Sequence, residues 1–101
     1  MDIPEIFPSE YRFCQILWEN EPVTTTQLVA LCNERLNWTK STTYTVIRRL
    51  TARGIIQKEN SICVSLISKQ AAQEQIVKRV IIDYFDGSTS EFIESVNQMA
   101  P

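Results

Sequence analysis

A chain of 101 residues with 44% hydrophobic content and only two glycines reads as one small ordered domain, or such a domain with an appended element. It has no histidine, which removes the commonest general base and any Ser-His-Asp triad. Its three widely spaced cysteines, Cys14, Cys32 and Cys63, lack the paired spacing of a zinc site, so no enzyme, cofactor or metal is expected. The net charge of −2 is unevenly spread: from Arg35 to Lys58 stand six basic residues (35, 40, 48, 49, 53 and 58) and no acidic one.

A local basic segment on an acidic chain suits phosphate attraction better than the total charge suggests. No apolar run exceeds the five residues from Leu28 to Cys32, far below the ~18 of a membrane span. The first residues, MDIPE, lack a signal-peptide pattern, so the cytoplasm is the expected location. Among apolar neighbours, the cysteines are expected to pack as small reduced hydrophobes.

Residues 1 to 8, with Pro4 and Pro8, read as an extended lead-in. Ser9 is the expected cap of a first helix through Asn20, with Phe13, Ile16 and Leu17 at helical spacing and Trp18 widening the stripe. Val23-Thr24 suits a minimal edge strand. Thr24 and Gln27 then have capping-box spacing for a second helix to about Leu36, whose apolar stripe is Leu28, Cys32 and Leu36, with a stop at Asn37.

Trp38 reads as a wedge between helices, with stacking on a base as the lesser alternative. Thr39 caps a third helix that runs to about Arg53, and Gly54 supplies the left-handed exit. Thr43, Val46, Ile47 and Leu50 recur at helical spacing and should face inward. That phase puts Thr42, Thr45 and Arg49 on an outer stripe flanked by Ser41, Tyr44 and Arg48. The run of β-branched residues is weak for a helix, so packing must override propensity.

Ile55 to Glu59 and Ile62 to Ile67, joined by Asn60-Ser61, read as a β-hairpin, with Ile62, Val64 and Leu66 in strand alternation. Three helices and a hairpin make a winged helix: mostly α with a small β-wing, over residues 1–67. Residues 68–101 form a helical region. Ser68 starts a fourth helix ending near Phe85, and Asp86-Gly87 breaks it. Ser88 to Glu91 then form a capping box for a fifth. The fourth helix carries Ile76, Val77, Val80, Ile81, Ile82, Tyr84 and Phe85, more apolar surface than one stripe needs; the fifth adds Phe92, Ile93, Val96 and Met99. The surplus is read as a dimerisation face, with folding back on its own domain as the alternative.

These residues resemble the penicillinase- and methicillin-resistance repressor family of bacterial winged-helix proteins, to which the copper-responsive repressors are also related. The resemblance starts at Ile16-Leu17-Trp18, is densest from Trp38-Thr39 through Ser41-Thr42-Thr43, Thr45-Val46-Ile47, Arg49-Leu50 and Arg53-Gly54, and returns at Tyr84 to Ser88. It implies a homodimeric repressor on a palindromic DNA operator, released by a signal. Carried over by position, Thr39, Ser41, Thr42, Thr45 and Arg49 are contact candidates, while Lys40, Arg48, Arg53 and Lys58 suit phosphates. The chain departs from the family at Ser61 beside Glu59, where many members have a basic wing residue, and at Lys40, where some have proline. Around Phe92 to Asn97 it has no counterpart of the site at which a signalling protease cuts some relatives. It lacks the Cys-rich tail of the copper-responsive branch, and relatives commonly continue past the position of Pro101. A winged helix used for protein association is the competing reading.

Overall fold

The computed structural model describes residues 4–101, so the first three residues of the expected lead-in lie outside it. In chain order the elements are α1 (Pro8–Asn20), β1 (Val23–Thr24), α2 (Thr25–Leu36), α3 (Lys40–Ala52), β2 (Ile56–Glu59), β3 (Ile62–Ser65), α4 (Lys69–Tyr84) and α5 (Thr89–Met99). The strands form one antiparallel sheet in the order β1-β3-β2, with β1 at its edge as expected. This is a winged helix followed by two further helices.

Most helix boundaries follow from local chemistry. Thr24 and Gln27 form a reciprocal capping box at α2, with bonds of 3.0 and 3.1 Å, and Asn37 closes that helix in the left-handed region. Ser68 Oγ accepts from Ala71 N to start α4, and Ser88 Oγ accepts from Glu91 N to start α5. The expected cap of the first helix needs correction. The helix begins at Pro8, with Phe7 rather than Ser9 as its N-cap, and Ser9 lies inside the first turn. Pro8 has no N–H to leave unpaired and its φ is already helical, while the Glu10 carboxylate accepts from Phe7 N at 3.0 Å.

The core is closed by Phe13, Cys14 and Leu17 of α1, Leu28 and Cys32 of α2, Thr43, Ile47 and Leu50 of α3, then Ile55, Ile56 and Cys63. All three cysteines are free thiols packed within it. In the hairpin, Asn60 and Ser61 both take positive φ, 53° and 62°, the pattern of a two-residue turn whose twist matches its strands. The register pairs Lys58 with Cys63 and Ile56 with Ser65, so Ile56 and Cys63 share the core side. Ile62 and Leu66 are consequently exposed on the outer face. The alternation of Ile62, Val64 and Leu66 marks a strand, but its face points away from the core.

The start of α4 is docked on α1. Trp18 Nε1 donates to Ile67 O at 3.0 Å, Gln73 Nε2 donates to the Tyr11 hydroxyl at 3.3 Å, and Ala72 is buried in the core. Beyond Ala72, no residue of α4 or α5 is buried. The two helices turn at Asp86 and Gly87, both at positive φ, with Phe85 and Phe92 in edge contact at 5.6 Å. The radius of gyration is 15.7 Å, against about 13 Å for a compact chain of this size, because this helical arm projects from the winged domain.

Candidate nucleic-acid interface

The helix α3 is weak on propensity, and the structure shows what compensates. Thr39 Oγ1 accepts from Thr42 N at 3.1 Å and donates to the Thr42 hydroxyl at 3.0 Å. Thr43, Thr45 and Thr51 each donate their hydroxyl to the carbonyl four residues back, at 3.3, 3.0 and 2.7 Å. These bonds satisfy the hydroxyls within the helix and leave the cap and the burial of the inward face to offset the weak propensity. Thr43, Val46, Ile47 and Leu50 are buried against the other helices, in the phase expected from the sequence. The turn before the helix is held by Asn33 Nδ2, which donates to Trp38 O at 3.0 Å. Trp38 lies parallel to the Phe13 ring at 6.3 Å between centroids, as a wedge rather than an exposed stacking surface.

With that face anchored, Thr39, Lys40, Ser41, Thr42, Arg48 and Arg49 are exposed on the other side, and Tyr44 and Thr45 are half-buried at its margin. Lys40 Nζ sits 5.9 Å from the centroid of the Tyr44 ring. Thr45 Oγ1, already bonded to Ser41 O, receives Arg48 Nη2 at 3.4 Å. The Arg49 side chain makes no hydrogen bond or ion pair with any described residue, so its five donors are free for an external acceptor. Lys58 is exposed on β2, two residues before the turn at the tip of the wing.

The six basic residues of the acid-free segment divide into two groups. Arg35 pairs with Glu19 at 2.5 Å, which raises the guanidinium pKa. Arg53 pairs with Glu10 at 2.6 Å. Both acids come from α1, so that helix neutralises two of the six charges. Lys40, Arg48, Arg49 and Lys58 have no acidic partner among the described residues. Three of these four lie on α3 and the fourth on the wing beside it.

One candidate was passed over in the sequence. Thr26 is exposed in the first turn of α2, and Thr25 N next to it donates to Ser61 O at the wing tip at 2.9 Å. The first helix of a helix-turn-helix crosses the nucleic-acid backbone, so the start of α2 was the place to look for a further phosphate contact. A helix about 10–12 Å across its side chains, bearing hydroxyls and unneutralised cations on one face over 13 residues, fits the roughly 12 Å width of a DNA major groove.

Comparison with known proteins agrees with this architecture. A family model described as the penicillinase repressor matches residues 6–100. No curated protein matches the chain. Among solved structures, the solution structure of the DNA-binding domain of the repressor BlaI is similar with a TM-score of 0.60. The match covers 69% of this chain and 90% of that one at 20% identity, a level at which the fold is what the two share.

Proposed function

The chain belongs to the penicillinase repressor family, and from that premise we propose that it is a sequence-specific DNA-binding transcriptional repressor acting as a homodimer on a palindromic operator. Family and fold are those of repressors rather than of enzymes. The observation that carries the reading is the position of the unneutralised cations: Lys40, Arg48, Arg49 and Lys58 lie on α3 and the wing, while α1 cancels Arg35 and Arg53. Thr39, Ser41, Thr42, Thr45 and Arg49 are the proposed base-reading and adjacent contacts. Lys40, Tyr44, Arg48 and Lys58 bind phosphates, with Thr26 as an added contact.

Residues 1–67 serve as the reading unit and residues 68–101 as the dimerisation unit. Exposed Val77, Ile82, Tyr84, Ile93, Val96 and Met99, with half-buried Ile76, Val80, Ile81, Phe85 and Phe92, form an apolar surface that a second copy would cover. Among the described residues, no helix is long and apolar enough to cross a membrane. The cytoplasm is the proposed location, and the inducing signal includes a protease only if one recognises the arm.

The test is selection of bound duplexes from a random pool, followed by stoichiometry on the recovered sequence. The expected product is an inverted repeat bound by two chains, with half-sites about one DNA turn apart, roughly 34 Å, or a multiple of that. Exposed Ile62 and Leu66 on the outer wing favour a second reading, in which the wing docks a protein. Absence of duplex binding at low ionic strength would select that reading instead.

A further inference from the structure

Arg53 stands in the basic segment and looks, in the sequence, like one more phosphate ligand. The structure gives its side chain other work. It follows the last turn of α3, where its backbone N–H still bonds Arg49 O at 3.1 Å. Its Nη1 donates to Glu10 Oε2 at 2.6 Å, its Nη2 donates to the carbonyl of Glu5, and its guanidinium lies 5.5 Å from the centroid of the Phe7 ring. Glu10 is the common partner. One carboxylate oxygen takes Arg53 and the other takes Phe7 N, the N-cap of α1, and the side chain is only 8% exposed. A single buried carboxylate therefore joins the first turn of α1 to the end of α3.

We propose that Arg53 is a positioning residue for DNA reading: through Glu10 it holds α3 at the rotation that aims Arg49 and the hydroxyl stripe, and it does not contact phosphate. The inference rests on the DNA-reading function proposed above. The physical case is one of leverage. Arg49 lies in the last turn of α3, four residues before Arg53 at its C-cap, and the chain turns away at Gly54, which has a φ of +74° and no side chain to pack. The buried Leu50 sets which face is inward, but a leucine contact is non-directional. The charge-assisted bonds to Glu10 have a fixed direction. Base reading tolerates displacements of only about 0.5 Å, so loss of this lock reaches specificity before it reaches general attraction.

The two roles have opposite signatures. The probes are the duplex recovered by selection and a scrambled duplex of equal length, each titrated over a range of salt concentrations with Arg53→Met, Glu10→Gln and the double variant. The positioning role predicts that each single variant lowers the ratio of selected to scrambled affinity at least tenfold, that the double variant is no worse than either single one, and that the salt slope stays within half a unit. Glu10→Gln is the sharper arm, since removal of an acid can only favour a direct phosphate contact. A phosphate contact at Arg53 predicts instead an unchanged ratio and a slope smaller by about 1.8 for a dimer, at about 0.9 per contact. That result, or an unchanged ratio in Glu10→Gln, overturns the proposal. Melting curves identify any variant that fails to fold. In that case Arg53→Lys, which keeps the charge but cannot span both Glu10 and the Glu5 carbonyl, must still lower the ratio. A wild-type chain that binds no duplex defeats the DNA-reading function itself, whereas intact selective binding that the variants leave unchanged defeats only this inference.

Discussion

Replacing Ile93 with Ala probes whether the arm is a dimerisation element. The change removes three carbons, worth about 2.4 kcal/mol if fully buried at about 0.8 kcal/mol per methylene. In the single chain Ile93 is 51% exposed, so about half of that value, ~1.2 kcal/mol, remains to be gained when a partner covers it. Twofold symmetry counts each substitution twice, giving about 2.4 kcal/mol per dimer and a dissociation constant about 50-fold higher. The half already covered in the single chain is lost from the monomer as well, about 1.2 kcal/mol at most, offset in part because alanine is the better helix former. Sedimentation equilibrium over a concentration series measures the constant, with circular dichroism to confirm equal helicity. A constant within threefold of wild type, in a variant of unchanged helicity, would refute the assignment of α5 to the interface.

Arg49→Ala should lose ~1–3 kcal/mol on the selected duplex and relax preference at one base position, without loss of stability, since its side chain has no internal partner; unchanged operator affinity removes it from the reading set. Lys58→Ala should weaken all duplexes alike and lower the salt slope by about 0.9 for each chain bound, and a loss confined to one sequence would contradict a phosphate role. Thr39→Ala should lower stability by about 1 kcal/mol in urea titrations, while Thr39→Ser, which keeps the acceptor for Thr42 N, should lose less; equal loss in both would remove the cap from the explanation. Burial, with a smaller contribution from Glu10, pushes the Cys14 thiol up from 9.0 to about 12. The fold favours the neutral thiol, so this stabilisation is complete below pH 9 and declines toward pH 12, by up to about 1.4 kcal/mol per pH unit. Under reducing conditions the unfolding free energy should therefore fall more steeply between pH 9 and 11 in wild type than in Cys14→Ala, and parallel curves would contradict it.

What the sequence determined by itself is what bonds of three or four residues' reach control. The caps at Thr24, Thr39, Ser68 and Ser88, the stop at Asn37 and the break at Asp86-Gly87 were legible because both partners lie within one turn of chain. The inward set of α3 was legible for the same reason, since helical phase is local and four buried residues fix it. The tertiary structure decided everything that joins distant segments. Arg53 and Glu10 stand 43 residues apart, and Arg35 and Glu19 stand 16 apart, so no local pattern shows that α1 removes two cations from the basic segment. In β3, alternation identifies a strand but not which side meets the core; the hairpin register, set by two residues at positive φ, turned Cys63 inward and Ile62 outward. Local periodicity ranks residues by face, and only chain closure says what each face meets.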